Sequence, residues 1–181
     1  MGWSLQLVAG IVGFCAYVPL IAGILRNTAK QSFAAFFLWA LLDAIATVTT
    51  FLADGNYWLP FGNVVGSVVM TVLLIVKRQV SWSWIESMTA LLVLICLAVW
   101  YTAGEEAGII ASSLAVVMAS IPQMAETYKN SRSTPVFPYL IFLTANILSF
   151  MAGHSWTIEE RFYAGCSIFL CAAIVGLARR K

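Results

Sequence analysis

Charged residues are scarce in this chain, since Lys, Arg, Asp and Glu together make up 10% of its 181 residues while 61% are hydrophobic. Soluble domains carry about 25% charged residues, so this chain has too few polar groups to cover a surface that faces water. A net charge of only +2 excludes the strongly basic surface that nucleic-acid binding requires. The composition therefore predicts an integral membrane protein that has the lipid bilayer, and no nucleic acid, as a partner.

Residues that bind metals or act as nucleophiles are equally sparse. The chain has a single histidine, His154, and its four cysteines form no CxxC pair. Zinc sites, haem-ligand pairs and nucleophile–base pairs need combinations of such residues. We therefore predict that the protein is not an enzyme and holds no metal or other cofactor.

Apolar runs that are long enough to cross a bilayer, for which about 20 residues suffice, fill most of the chain. Short polar breaks separate these runs. The sequence predicts an all-α integral membrane protein with seven transmembrane helices, at Ser4–Leu25, Phe33–Ala53, Leu59–Val76, Ile85–Thr102, Ala107–Tyr128, Val136–Gly153 and Phe162–Ala178.

The basic residues fall on one side of this predicted arrangement. Nine of the ten lie in the first, third and fifth loops or in the C-terminal tail, while Arg161 shares the other side with most of the acidic residues. Because basic loops stay in the cytoplasm, we expect a multi-pass protein of the plasma (inner) membrane with its N-terminus outside and its C-terminus cytoplasmic. The nine are Arg26, Lys30, Lys77, Arg78, Lys129, Arg132, Arg179, Arg180 and Lys181.

The second half of the chain resembles the first half, which predicts an internal repeat. The first helix of each three-helix repeat is predicted to start on the outside, so the two repeats are parallel. Parallel repeats need a linking helix between them, which gives a 3+1+3 layout. We assign residues 1–76 and 107–181, with its basic tail, to the repeats and residues 77–106 to the linker with the fourth helix. Such repeats occur in transporters, with the substrate site near the midplane. The matched pairs are Pro19 with Pro122, Ala22 with Ala125, Arg26 with Lys129, Asn27 with Asn130, Asp43 with Asn146, and Gly62 with Gly165.

The two matched prolines lie in the cytoplasmic half of their predicted helices. Proline removes one helical hydrogen bond, so Pro19 releases the carbonyl of Cys15 and Pro122 releases that of Met118. One interpretation is a pair of hinges at an inner gate; the other is a pair of tolerated kinks. Their occurrence in both repeats favours the hinges.

Asp43 lies near the middle of the second predicted helix, where a charged carboxylate costs about 2.5–3.5 kcal/mol on insertion scales. No Lys, Arg or His lies inside any predicted span. Asp43 is therefore protonated, faces a water-filled cavity, or pairs with a cation or cationic substrate; the alternative is a neutral Asp that fixes helix packing. Its match in the second repeat, Asn146, is predicted to face it across the midplane. One turn before Asp43, Trp39 is a candidate stacking wall for a ring-shaped solute, or a packing residue.

The run SIPQMAETYKNSRSTP at 120–135 resembles the PQ-loop motif, a Pro-Gln pair in a helix followed by a basic cytoplasmic loop rich in Ser and Thr. The run YVPLIAGILRNTAKQS at 17–32 is similar to a degenerate first copy, with Leu20 in place of Gln. The run PFGNVVG at 60–66 is similar to the third helix of SWEET (MtN3-like) sugar transporters.

The resemblance to the PQ-loop and SWEET-type transporters implies two three-helix bundles around a central substrate path. It implies roles for Pro19, Pro122 and Gln123 in gating and for Asn63 in substrate binding. Relatives of this kind carry sugars, cystine or cationic amino acids, and PnuC vitamin transporters share the helix layout. The position that matches Asn63 in the second repeat is Cys166, so a symmetric pair of amides for a sugar is absent there.

These observations predict an alternating-access transporter of a small polar solute such as a sugar, an amino acid or a vitamin. Its predicted substrate-binding residues are Asp43, Asn146, Asn63 and Trp39, and coupling to protons would run through Asp43. A membrane sorting receptor of the KDEL-receptor kind is the alternative, although it would need a basic luminal pocket where this chain is acidic. The sequence leaves the solute and a homo-oligomeric state open.

Overall fold

A computed structural model describes residues 2–27, 31–80, 84–129, 131 and 134–180 of the chain. Throughout this described part the regular structure is helical, without strands. The helices are α1 (Gly2–Cys15), α2 (Tyr17–Leu25), α3 (Phe33–Leu52), α4 (Trp58–Val76), α5 (Trp84–Ala103), α6 (Glu105–Ala119), α7 (Ile121–Lys129), α8 (Val136–Ala152) and α9 (Ile158–Ala178).

Two pairs of these helices continue each other, so the described residues form seven helical spans. Helices α1 and α2 adjoin at Ala16, and α6 and α7 adjoin at Ser120. Five spans are long and apolar enough to cross a membrane, and two shorter apolar helices complete the set. These lengths confirm an all-α architecture that suits a multi-pass membrane protein. The five are Leu5–Leu25, Phe33–Leu52, Trp58–Val76, Glu105–Lys129 and Ile158–Ala178, and the shorter two are Ala90–Ala103 and Val136–Ala152.

The last helix begins earlier than the hydropathy pattern predicts. Helix α9 starts at Ile158 rather than at Phe162, because Thr157 is the last residue with an extended backbone. Glu159 and Glu160 occupy its first turn, where negative charge favours the amino-terminal end of a helix dipole. These two glutamates therefore belong to the helix, although the apolar run of the sequence begins only after them.

Six spans pack side by side in a ring, and the fourth lies outside it. Around the ring, α1 packs on α4, α4 on α3, α3 on α6, α6 on α9, α9 on α8, and α8 on α1 again. Helix α5 packs against α3 and α6. The ring encloses buried residues from all six spans, which include polar side chains as well as the apolar core.

The chain alternates between two faces of this bundle. The N-side face carries the start of α1 and the connections after α3, α5 and α8, and the C-side face carries the other connections and the end of α9. Most of the described basic residues lie on the C-side face. Among the described residues, Arg161 is the only Lys or Arg on the N-side face. Lys30, Arg132 and Lys181 lie outside the described residues.

In both broken spans an amide bonds to the carbonyl three residues earlier, at a position two or three residues before a proline. The amide of Ala16 donates to the carbonyls of both Val12 and Gly13, each at 3.2 Å, and the amide of Ser120 donates to Val117 at 3.1 Å. A proline cannot donate its own bond and crowds the preceding turn, which explains a break at Ala16 shortly before Pro19. The side chain of Pro122 lies outside the described residues.

Close contact between α1 and α4 depends on two glycines. A Cβ atom on Gly62 would lie 2.6 Å from the carbonyl oxygen of Gly10, and a Cβ atom on Gly10 would lie 2.5 Å from that of Trp58. Real Cβ atoms do not approach backbone oxygens so closely. Small residues of this kind let membrane helices pack backbone to backbone, and here they bring the first span against the third.

Candidate functional site

A small cavity of about 50 Å³ lies inside the helical ring. Its volume suits one or two water molecules, each of which occupies about 30 Å³ in the liquid. Helices α2, α3, α4, α6, α8 and α9 all contribute to its wall, so it lies where most of the spans converge. The lining residues are Tyr17, Trp39, Asp43, Asn63, Val116, Tyr139, Phe142, Asn146, Tyr163, Ser167, Leu170 and Cys171.

The carboxyl group of Asp43 is buried in this cavity wall, with 3% of the residue exposed. The hydroxyl of Tyr163 on α9 donates a hydrogen bond to Oδ1 of Asp43 at 2.7 Å. Asn63 on α4 in turn donates from Nδ2 to the Tyr163 hydroxyl oxygen at 2.9 Å. This chain of hydrogen bonds joins three helices and holds the carboxyl group in one orientation.

A second tyrosine, Tyr17, occupies the part of the wall that α2 contributes, next to the break in the first span. Its hydroxyl lies 2.9 Å from Oγ of Ser67 and donates to the carbonyl of Asn63 at 3.2 Å. Its ring meets Phe142 edge-on at a centroid distance of 4.9 Å. Tyr17 thus connects the broken first span to α4 and α8.

Trp39 connects α3 to the other broken span. Its Nε1 donates to Oγ of Ser120 at 3.2 Å, and Ser120 donates to the carbonyl of Val116 at 2.7 Å. The indole ring packs edge-on against Phe36 at 4.9 Å between centroids. The predicted stacking wall therefore lines the cavity, and its polar end is fixed at the junction of α6 and α7.

Asn146 lines the same cavity as Asp43, although no direct hydrogen bond joins the two side chains in the described part of the chain. Nδ2 of Asn146 donates to the carbonyl of Phe142 at 2.8 Å and points toward Sγ of Cys171 at 3.8 Å. The side-chain oxygens of Asn146 and Asn63 have no partner among the described residues. Two buried amide oxygens are thus available to accept hydrogen bonds in the cavity.

The cavity lining carries one carboxyl group and, among its described residues, no Lys, Arg or His. The other titratable side chains that line it are Tyr17, Tyr139, Tyr163 and Cys171. A buried carboxylate without a cationic partner is costly. The arrangement therefore favours a proton on Asp43 or a cationic group beside it.

The predicted hinge residues lie apart from the cavity lining. Gln123 is buried near the C-side face, where its Nε2 donates to Oγ1 of Thr127 at 3.4 Å. Oγ1 of Thr127 also lies 3.0 Å from Oγ1 of Thr134, in the connection to α8. Pro19 follows the break in the first span and is absent from the cavity wall. The structure thus brings Asp43, Asn146, Asn63 and Trp39 together, and it places Pro19 and Gln123 elsewhere.

Sequence reasoning missed the tyrosine hydroxyls that organise the site. Tyr17, Tyr139 and Tyr163 line the cavity, whereas the substrate-binding residues predicted from the sequence are Asp43, Asn146, Asn63 and Trp39. One signal was present, because membrane tyrosines favour the two interfaces and a tyrosine well inside an apolar run, such as Tyr17, is unusual there.

Polar contacts lie between the cavity and each face of the bundle. On the N-side face, Nε2 of Gln6 lies 3.2 Å from Nδ1 of His154 and 3.2 Å from Oε2 of Glu160. Nearby, Nδ2 of Asn56 donates to Oγ of Ser149 at 3.1 Å. We call these the N-side contacts. The C-side contacts are the Trp39–Ser120 bond and the bond from the Tyr139 hydroxyl to Oε1 of Gln31, at 3.4 Å.

The site can therefore hold a small polar group between an acidic side chain, two amide oxygens and aromatic rings, away from both faces. Comparisons of the chain with family models, with curated proteins and with solved structures found no match.

Proposed function

We propose that the protein is an alternating-access transporter of a small polar solute, built from two parallel three-helix repeats as in the PQ-loop and SWEET-type transporters that its sequence resembles. The observation that carries this proposal is the buried cavity containing Asp43, Asn63 and Asn146, which has polar contacts between it and each face. Membrane proteins rarely bury ionisable groups except on a substrate, ion or proton path.

The order of the helices supports the repeat. In the first half, the third span, α4, packs between the first span and α3, and in the second half α9 packs in the same way between α6 and α8. Each half thus has the order first, third, second. The halves meet where α1 packs on α8 and where α3 packs on α6, which are equivalent pairs under the sequence repeat.

The polar contacts on both faces join one proposed repeat to the other. Gln6 and Asn56 belong to the first repeat and bond to residues of the second on the N-side face. Trp39 and Gln31 do the same on the C-side face. Breaking one set while the other persists would expose the cavity to one face at a time, and the broken spans provide places at which the helices can bend.

Asp43 is the residue to which we assign proton coupling, because it is the acidic group of the cavity lining. The concentration of basic residues on the C-side face supports a cytoplasmic C-terminus through the positive-inside rule. We accordingly place the N-side face outside. A sorting receptor that binds a peptide carboxylate fits less well, since the described cavity lining offers no basic side chain.

The thiol of Cys171 provides a test of alternating access, because it lines the cavity and is buried. With Cys15, Cys96 and Cys166 replaced by Ser, we expect a membrane-impermeant thiol reagent to label Cys171 in reconstituted vesicles from either face. Gln6→Ala removes two N-side contacts, including one to a carboxylate worth about 1.5–3 kcal/mol. Labelling from the N-side face is then expected to accelerate by about tenfold or more.

Thr102→Ala is the matched control for Gln6→Ala. Thr102 also lies near the N-side face, but it is exposed and its hydroxyl bonds only to carbonyls of its own helix at 2.8 and 3.4 Å. Its replacement should leave the labelling rate unchanged. Labelling that proceeds from one face alone, at a rate that Gln6→Ala does not alter, would contradict alternating access.

A further inference from the structure

Hydrogen-bond donors and acceptors are unequally used around the cavity. Three donor atoms of the wall already have partners: Nδ2 of Asn63 bonds to Tyr163, Nδ2 of Asn146 bonds to the Phe142 carbonyl, and Nε1 of Trp39 bonds outside the cavity wall. The acceptors Oδ1 of Asn63 and Oδ1 of Asn146 have no partner among the described residues. A buried acceptor without a partner costs about 1–3 kcal/mol, so a group that donates hydrogen bonds is needed to complete the site.

Both asparagines are buried, since Asn63 is 8% and Asn146 is 2% exposed. Their side chains line the same small cavity as Asp43. A carboxylate is a third acceptor, and its negative charge attracts a cationic donor more strongly than a neutral one. The described lining contains no basic residue that would neutralise Asp43 instead.

Aromatic rings form much of the remaining wall. Tyr17, Trp39, Tyr139, Phe142 and Tyr163 all line the cavity. The negative face of an aromatic ring attracts a cation, by about 2 kcal/mol or more where water is excluded. Acceptors, one negative charge and several rings together match the chemistry of an ammonium group.

We propose that the transported solute is a small protonated amine that carries no carboxylate; this inference rests on the transport function proposed above. An amino acid would bring an anionic group into a wall that already holds a carboxyl group and has no basic side chain among its described residues. A neutral polyol would need Asp43 to hold a proton, so it would make no use of the attraction between a carboxylate and a cation. The cavity of about 50 Å³ accommodates an alkylammonium head group of a few heavy atoms.

This assignment fixes how protons and solute are linked. One carboxyl group cannot hold a proton and stabilise an ammonium ion at the same time, so the two compete and are exchanged across the membrane. The other titratable groups facing the cavity are Tyr17, Tyr139, Tyr163 and Cys171, and Cys96 of α5 lies in the surrounding core. None of these is cationic, so Asp43 is the group at which the competition occurs.

Calorimetry on the purified full-length chain tests the inference. The compounds whose binding is measured are ethylammonium, tetramethylammonium, ethanol, ethylene glycol and glycine. Ethylammonium is expected to bind at least about tenfold more tightly than the neutral and zwitterionic compounds, because a hydrogen bond between charged groups is worth about 1.5–3 kcal/mol. Tetramethylammonium has the charge without N–H donors and should bind more weakly. Acidification should weaken ethylammonium binding.

Two variants separate the carboxyl from the amide contribution. Asp43→Asn should weaken ethylammonium binding by about ten- to a hundredfold and remove its dependence on pH. Asn146→Ala removes an acceptor without filling the cavity, and it should weaken binding by several-fold, whereas the exposed Thr144→Ala on the same helix should leave binding unchanged. Elution as a single symmetric peak in size-exclusion chromatography verifies that each variant is folded.

The outcomes distinguish this inference from the proposed function. Tighter binding of glycine or ethylene glycol than of ethylammonium, or equal binding of tetramethylammonium, would overturn the amine assignment and leave a transporter of another solute. If no compound of the panel binds while Cys171 is still labelled from both faces, the amine assignment also fails and alternating access stands. If labelling occurs from one face alone, the transport function itself fails.

Discussion

Asp43→Asn is expected to remove the pH dependence of net solute movement while solute exchange continues in part. The amide retains the shape of the carboxyl group and can still accept the hydrogen bond from the Tyr163 hydroxyl, which is 2.7 Å long in the parent chain. What it loses is the capacity to bind and release a proton. In vesicles with a gradient of one pH unit, the wild-type chain should accumulate solute by up to about tenfold for one proton exchanged, since one unit equals 1.36 kcal/mol.

The variant should bring the internal and external solute concentrations to equality under the same gradient. Counterflow, in which labelled solute exchanges for unlabelled solute, provides the comparison because it needs no net proton movement. Ser149→Ala is not a suitable control, because Ser149 bonds to Asn56 on the N-side face; the exposed Thr144→Ala is suitable. Accumulation by Asp43→Asn that still follows the pH gradient would remove Asp43 from the coupling mechanism.

Much of this site could be predicted from the sequence, for reasons of solvation. An acidic residue in the middle of an apolar run must avoid lipid, and this requirement alone placed Asp43 in the interior. The sequence repeat then led to Asn146, which lines the same cavity. Asn63 and Trp39 came from the family resemblance and from helical spacing, and both contribute to the cavity wall.

The remaining features depend on tertiary packing that a hydropathy pattern does not record. Tyr163 donates the hydrogen bond to the carboxyl group of Asp43, yet it lies far along the chain in α9 and has no counterpart of its own type in the repeat. The predicted start of the last helix at Phe162 was also wrong, because polar residues in a first helical turn resemble a loop in a hydropathy pattern. The free amide oxygens could not be anticipated, since they result from which neighbours occupy the other ends of Asn63 and Asn146.

Gly66→Ala is expected to destabilise the protein strongly, because Gly66 supports the ring of Tyr17. A Cβ atom at this position would lie between 2.2 and 2.5 Å from three atoms of that ring. The ring has no room to retreat, since it is buried and packs edge-on against Phe36 and Phe142. Overpacking of this kind costs about 1–3 kcal/mol, which corresponds to a fall in Tm of roughly 2–12 °C for a chain of this size.

The same change should also impair the site, because a displaced Tyr17 loses its bonds to Ser67 and to the Asn63 carbonyl and the cavity wall moves with it. Gly176→Ala is the matched control: nothing lies within 4 Å of its added Cβ atom, and alanine favours a helix over glycine by about 0.5–1 kcal/mol, so its Tm should be unchanged or slightly higher.

A double-mutant cycle identifies the cause of the destabilisation by Gly66→Ala. In a Tyr17→Ala background the clash is absent, and Gly66→Ala should then lower Tm by much less than in the wild-type chain. An equal decrease in both backgrounds would mean that α2 and α4 do not meet through this pair, and the wall of the cavity would have to be assigned to other contacts.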